Sequence, residues 1–182
     1  MARRSYESRI SGRAGAFSHE ACLTFLADCE PFGKPTFANV IEAVEQGETE
    51  FGMLPYENSA VGPVEEVHRL LADCPLAIVA RHVLPIRMHL LGLPGARLGD
   101  VTTAVSHPMA LKQCAETLGQ MGLAAKPASN TAVAAQALAD PTNAVLASEF
   151  AAKAYGLTIL KRDMQDHPDN STIFVVLAKE GR

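Results

Sequence analysis

A threonine hydroxyl held where a polar turn meets a buried strand is a positioned hydrogen-bond donor, and the stretch Asn170-Ser171-Thr172-Ile173-Phe174 sets one there. Asp166 to Asn170 is polar, whereas Phe174-Val175-Val176-Leu177 is an apolar run, so Thr172 lies at the mouth of a strand. Strand ends are where α/β proteins collect their ligands. The chemistry open to such a hydroxyl is donation to an oxygen that gains charge as it departs. Threonine is also a good strand former at a turn boundary, and these five residues alone favour that plainer reading.

Other strand ends carry similar groups. Gly12-Arg13-Ala14-Gly15-Ala16-Phe17-Ser18 leads into a helical pattern through Ala21, Cys22, Phe25 and Leu26, so the backbone at Ala16 and the Ser18 hydroxyl can face an anion at a helix start. The glycines match neither the phosphate loop nor the dinucleotide fingerprint, and most such turns merely begin a helix. Tyr56-Glu57-Asn58-Ser59 closes a third strand with two donors, Asn58 and Ser59; an Asx turn before a helix is the alternative. Ser106 and His107 precede Pro108, and Ser129-Asn130-Thr131 precedes an alanine-rich helix. His107 at that place is more often a helix-start residue than a base.

The elements needed to position these groups alternate along the chain. Strands are expected at Arg9–Ser11, Lys34–Ala38 and Phe51–Pro55, then along a stretch from Leu76 to Leu91 broken by Arg81-His82, and at 101–105, 124–128, 143–147, 157–161 and 174–177. Between them lie helical patterns, among them Val40–Gln46 with an Asn39…Glu42 capping box and Gly47 as its stop, Leu111–Met121, Ala132–Ala139 and Glu149–Tyr155. This alternation is that of an α/β fold with mostly parallel sheets. If there are two lobes, the hinge falls at Arg81–Pro85 and Asp163–Pro168.

Composition narrows the function. The chain has 182 residues, 48% hydrophobic and 20% charged, with a net charge of -4, enough apolar material for a real core and no basic surface for nucleic acid. No run spans a bilayer, and the basic start Met1–Arg9 lacks an apolar export region, so the expected location is cytoplasmic. Cys22, Cys29, Cys74 and Cys114 form no CxxC pair and read as reduced, with Cys22 and Cys29 on one face of a probable helix. Six scattered histidines, with no HExxH and no Gly-x-Ser-x-Gly, argue against a metal centre or a serine triad. The expected partner is a small molecule, with no nucleic acid and no membrane. A homo-oligomer stays open.

Taken in order, Gly12-x-x-Gly15-Ala16-Phe17-Ser18, Leu54-Pro55-Tyr56-Glu57-Asn58-Ser59 with Gly62, Ser106-His107-Pro108 with Gln113-Cys114, Thr131-Ala132 with Ala134-Ala135, Ala151-Ala152 with Tyr155-Gly156-Leu157, and Asn170-x-Thr172-x-Phe174 resemble the catalytic domain of prephenate dehydratase. The resemblance implies one catalytic unit over residues 1–182 with a two-lobed fold like that of type II periplasmic binding proteins. Lobe one would be about 6–80 plus 168–182, lobe two about 84–163, with a ligand cleft between them. It implies decarboxylation and dehydration of prephenate to phenylpyruvate without metal or organic cofactor. Thr172 matches the family's catalytic threonine; Ala16, Ser18, Asn58, Ser59, Ser106, His107, Ser129, Thr131 and Phe174 match substrate-lining segments.

Three departures shape the expectations. Ile173 stands where the family has arginine, removing a fork that would grip a carboxylate, and Arg81 stands where the family has glutamate. The expectation is that Arg81 restores the cation, the alternative being a surface arginine on a strand edge. The chain ends at Arg182, where these enzymes usually continue into a phenylalanine-binding ACT domain, so feedback through such a domain is not expected. The runner-up readings are a non-aromatising prephenate decarboxylase or an arogenate dehydratase and, from another class, a non-catalytic small-anion-binding protein on the same fold.

Overall fold

The computed structural model describes residues 6–12, 14–26 and 29–180; the basic start Met1–Ser5 and Arg13 of the glycine turn lie outside them. In chain order the elements are β1 (Tyr6–Ser11), α1 (Phe17–Phe25), β2 (Cys29–Lys34), α2 (Phe37–Gln46), β3 (Phe51–Asn58), β4 (Gly62–Pro63), α3 (Glu65–Ala72), β5 (Ala77–Pro85) and β6 (His89–Gly92). There follow β7 (Thr103–Ser106), α4 (Pro108–Gln113), α5 (Ala115–Gln120), β8 (Ala124–Pro127), α6 (Thr131–Gln136), β9 (Asn143–Ala147), α7 (Glu149–Tyr155), β10 (Thr158–Lys161) and β11 (Ser171–Ala178). Packing divides the chain into two units, one of residues 1–13, 17–85 and 171–182, the other of 14–16 and 86–170. No helix among the described residues is long and apolar enough to cross a membrane.

The first unit holds a sheet in the order β2-β1-β3-β11-β5, with β4 on β3. β1 runs parallel to β2 and β3, whereas β11 returns late in the sequence and pairs antiparallel with both β3 and β5. Leu54, Val175 and Leu177 of the sheet pack with Val40 and Ile41 of α2 and Val67 of α3, all nearly inaccessible to solvent. Gly52 admits α2 closely, for a Cβ there would stand 3.0 Å from methyls of both Val40 and Val44. On the other face Phe25 of α1 stacks on His82 of β5, ring centroids 4.5 Å apart.

The second unit has the order β10-β6-β9-β7-β8, parallel at β7–β8 and β7–β9 and antiparallel elsewhere. Leu91, Val145 and Ala147 of its sheet meet Ala134 and Ala135 of α6 and Ala151 and Ala152 of α7. Small residues let both helices lie close to the strands.

The α/β class is as expected, but the sheets are mixed rather than mostly parallel, because β4, β6 and β11 each run antiparallel to their neighbours. The second strand occupies 29–34 and not 34–38. Pro35 cannot extend the ladder, and Thr36 caps α2 by accepting from the Asn39 N–H at 3.1 Å, so Phe37 and Ala38 are already helical. Gly47 ends that helix in the left-handed region as expected, at φ 75°. β5 is one unbroken strand through Arg81-His82; at a sheet edge a charged and a polar residue can alternate outward without penalty. Cys22 lies in α1 but Cys29 begins β2, so they do not share a helix; all four cysteines are free. The helix expected over 111–121 is two, broken at Cys114, which has φ -122°.

His89 illustrates a buried polar group with a single good protonation state. It is 5% exposed, and its Nδ1 accepts the Asp163 N–H at 3.1 Å, where Asp163 takes a positive φ of 53°. Burial above all lowers its pKa from 6.5, outweighing the nearby Asp163 carboxylate. Protonation would replace that acceptor by a second donor. The unfolded chain therefore binds the proton more readily, and the His89 contribution, complete above about pH 6.5, is lost as the pH falls through the lowered folded value. Urea unfolding from pH 7.5 to 5 is expected to show this loss, and His89→Asn, which keeps an acceptor but does not titrate, is expected to flatten it.

Candidate active site

The strand pairing that places β11 beside β3 also sets Thr172 opposite Asn58 and, on its other side, opposite Leu84. Thr172 is 7% exposed and Asn58 equally so. The Asn58 amide nitrogen donates to Thr172 Oγ1 at 2.9 Å and to the Ser171 carbonyl at 3.0 Å. Its carbonyl oxygen accepts the N–H groups of Ala60 at 2.9 Å and Val61 at 3.2 Å, which fixes which end of the amide faces the threonine. Because Oγ1 is already an acceptor, the Thr172 proton is directed away from Asn58. The hydroxyl is thereby a pre-oriented donor in a dry setting, the arrangement that stabilises developing negative charge.

Ser59 grips the residue next door. Its N–H donates to the Ser171 carbonyl and its hydroxyl accepts the Ser171 N–H, both at 2.9 Å. Ser59 therefore holds backbone and registers β11. Phe174, 1% exposed, belongs to the core of the same face as Thr172 and is opposite His82. At the start of α1 the Ser18 hydroxyl is buried and 3.1 Å from that of Ser11, tying the helix to the end of β1.

Successive strand residues point to opposite faces, so Ile173 does not share the face of Thr172. Ile173 lies opposite Glu57 and Val83, on the side of the sheet that α2 and α3 cover, and Arg81, opposite Val175, is on that side too. The Arg81 guanidinium lies over the Tyr56 ring, 4.8 Å from its centroid, and Tyr56 stacks on His68 at 4.0 Å. Strand alternation thus sets Arg81, expected to restore the missing cation, on the face of the sheet opposite to that of the Thr172 hydroxyl. An arginine at position 173 would face away from the Thr172 hydroxyl as well.

In the second unit the hydroxyls serve each other. Ser106 is wholly buried and donates to the Leu146 carbonyl at 2.8 Å; with its proton so placed, Thr131, 3.2 Å away, is the donor between the two. His107 caps α4, its Nδ1 accepting the Met109 N–H at 3.2 Å, which leaves Nε2 as the outward donor. Asn130 caps α6 by accepting from Ala132 at 2.7 Å, so part of the donor set expected at Ser129–Thr131 is satisfied internally, while Ser129 is exposed.

Two features had little sequence signal. The turn before β11 is stapled down: Gln165 accepts the Met88 N–H at 3.0 Å, and the Asp166 carboxylate accepts from Glu116 at 3.0 Å and from the Thr117 N–H and hydroxyl at 2.9 Å. Burial pushes the Asp166 carboxyl up most strongly of any single influence, yet these hydrogen bonds together hold it below the usual range. Ala16 follows a turn whose Ala14 carbonyl accepts the Tyr155 hydroxyl at 2.6 Å from 141 residues away. Among the described residues no group of three His, Cys, Asp or Glu could hold a metal ion.

The family model described as prephenate dehydratase matches residues 9–182. Arogenate dehydratase/prephenate dehydratase 1 of Arabidopsis thaliana is 37% identical over 177 residues, covering 94% of this chain and 45% of that protein. A bifunctional N-acyl-homoserine lactone acylase/prephenate dehydratase of Komagataeibacter europaeus is 34% identical over 173 residues, covering 93% of this chain and 62% of its own length. The solved prephenate dehydratase of Arthrobacter aurescens in complex with L-Phe superposes with a TM-score of 0.87 at 28% identity, over 97% of this chain and 61% of that one. A methionine-binding lipoprotein of Bacillus subtilis, described as putative, shares the fold alone, with a TM-score of 0.53 at 10% identity over 97% of this chain and 83% of its own. This chain spans about half the length of the Arabidopsis relative.

Asn58→Ala removes four hydrogen bonds from a buried corner and leaves the Ala60 and Val61 N–H groups without their acceptor. It is expected to lower the unfolding free energy by about 1–3 kcal/mol or more, read as a reduced urea midpoint at unchanged slope.

Proposed function

The chain belongs to the prephenate dehydratase family, and from that premise we propose that it converts prephenate to phenylpyruvate. The ring carboxylate leaves as carbon dioxide, its bonding electrons complete the aromatic ring, and the ring C–O bond breaks. The hydroxide so released takes up a proton and departs as water. Aromatisation drives the step, so the protein has mainly to stabilise the leaving oxygen. Thr172 hydrogen-bonds that oxygen as charge gathers on it.

The observation that carries this reading is the 2.9 Å bond from Asn58 to Thr172 Oγ1, which leaves the threonine proton as the outward group. Threonine does not ionise at neutral pH, and as a hydrogen-bond donor it need not. One positioned donor of this kind is worth roughly 3–4 kcal/mol in the transition state. In the second unit His107 Nε2 and the Ser129 hydroxyl are neutral donors suited to a carboxylate, with Ser106 and Thr131 holding each other beside them. In the first, Ser18 ties α1 to β1, Ser59 registers β11 and Phe174 fills the core. Four free cysteines fit a cytoplasmic location.

Arogenate is the second reading for the substrate, favoured by the plant relative that is named for both activities. A non-aromatising decarboxylation is the remaining alternative, motivated by Ile173 and Arg81, and its product would not absorb in alkali as phenylpyruvate does.

Purified protein given prephenate and arogenate in parallel is expected to form phenylpyruvate, read by its absorbance in alkali, or phenylalanine. Thr172→Ala is expected to lower kcat by about 10²–10³-fold, with Thr172→Ser retaining most of it. An unaltered rate in Thr172→Ala would sink the assignment. Ile173→Arg is expected to leave KM within about twofold, because the new side chain points to the opposite face.

A further inference from the structure

The strand that carries Asn58 is interrupted two residues before it. Glu57 pairs with Ile173 and Pro55 with Phe174, so Tyr56 is an extra residue with no partner on β11. Such a bulge sets which way the side chains beyond it point, and sliding it by one residue would turn Asn58 away from Thr172. The ladder is broken at that point, so the place of the bulge has to be fixed by contacts outside it.

Those contacts come from two elements. The Tyr56 carbonyl accepts the Val64 N–H at 2.9 Å and, since a carbonyl can only accept, the His68 Nε2–H at 3.1 Å. Val64 precedes α3 and His68 lies one turn into it, so the helix grips the backbone of the bulge. The Tyr56 ring stacks on the His68 ring, centroids 4.0 Å apart, and the Arg81 guanidinium of β5 lies 4.8 Å from its centroid. Arg81 is opposite Val175 of β11, which is opposite Leu54 of β3, so Arg81 reaches across β11 to the bulge. Tyr56 itself packs among the apolar side chains beneath α2 and α3.

We propose that His68 and Arg81 are positioning residues for the Thr172 hydroxyl: by clamping Tyr56 they fix the bulge, and the bulge aims the Asn58 amide that orients Thr172. The path is short, from the clamp to Tyr56, two residues along β3 to Asn58, and from its amide to Oγ1 at 2.9 Å. The proposal rests on the dehydratase reading for the role of Thr172 and gives Arg81 a task on the far face of the sheet. Loss of either clamp tilts a donor and removes no binding group, so it lowers turnover and not affinity; a shift of about 1 Å at a reacting group can cost roughly 100-fold.

Arg81 is exposed, so truncating it leaves the core intact. In steady-state assays with prephenate, Arg81→Ala and His68→Ala are each expected to lower kcat by about fivefold with KM within about twofold, the size of one cation–π contact or one ordinary hydrogen bond. Tyr56→Phe, which keeps the ring and the carbonyl, is expected to behave as the parent. In the Thr172→Ala background neither substitution is expected to lower the residual rate further, because the hydroxyl that the clamp serves is gone. A merely structural role would lower the urea midpoint and leave kcat per folded molecule unchanged. That result, a rise in KM in place of the fall in kcat, or an additive loss in the Thr172→Ala background overturns the proposal. The Asn58 side-chain amide resonances of 15N-labelled protein are expected to shift in Arg81→Ala and His68→Ala and to stay in place in Tyr56→Phe. If the parent chain makes no product from prephenate, the dehydratase reading falls, and these resonances still decide whether the clamp aims the amide; resonances unmoved in both alanine variants overturn it.

Discussion

One irregular step in the sheet carries the arrangement of the first unit. On β3, Leu54 and Asn58 are four residues apart and would point to the same face of a regular strand. Yet Leu54 lies opposite Val175 in the core beneath α2 and α3, while Asn58 lies opposite Thr172 and bonds its hydroxyl. The register shift between Ile173 and Phe174 reconciles the two, because Glu57 pairs with Ile173 and Pro55 with Phe174, leaving Tyr56 as the extra residue of a bulge. A bulge re-aims the side chains beyond it. Here it lets an apolar core and a polar corner occupy opposite faces of two adjacent strands.

The polar groups follow from where their protons and lone pairs are already placed. Asn58 is saturated on its carbonyl side by Ala60 and Val61 and so has no freedom to flip. Ser106 has its proton on a strand carbonyl, Asn130 has its oxygen on the first N–H groups of α6, and His107 has one ring nitrogen on a helix start. Groups that looked interchangeable as donors divide into those that hold the backbone and those that retain an outward proton. The division is enforced by burial, since an unpaired polar atom in a dry place costs more than a single hydrogen bond contributes.

Much of the architecture was legible in residue order. The αL stops at Gly47 and Gly156, the strand at 143–147 and the helix at 149–155 appear where local chemistry puts them. The misplaced second strand had a readable cause, for Pro35-Thr36 followed by Asn39 is a helix-start signal three residues earlier than the capping box built on Asn39. The continuity of β5 across Arg81-His82 was not legible, because tolerance of those residues depends on the strand's being at an edge. Nor was the grip of Tyr155 on Ala14, a contact spanning 141 residues.

Periodicity, glycine placement and the order of polar strand ends thus determined by themselves the α/β class, most elements and the identity of Thr172 as a hydroxyl at a strand mouth. They did so because each depends on neighbours within a few residues. Which face each side chain takes, and what it touches, was decided only by tertiary pairing. Ile173 follows Thr172 in the chain but belongs to the other side of the sheet, and Asn58, 114 residues away, is the partner that aims the hydroxyl. Face and register come from non-local strand pairing, where one inserted residue reverses every side chain beyond it.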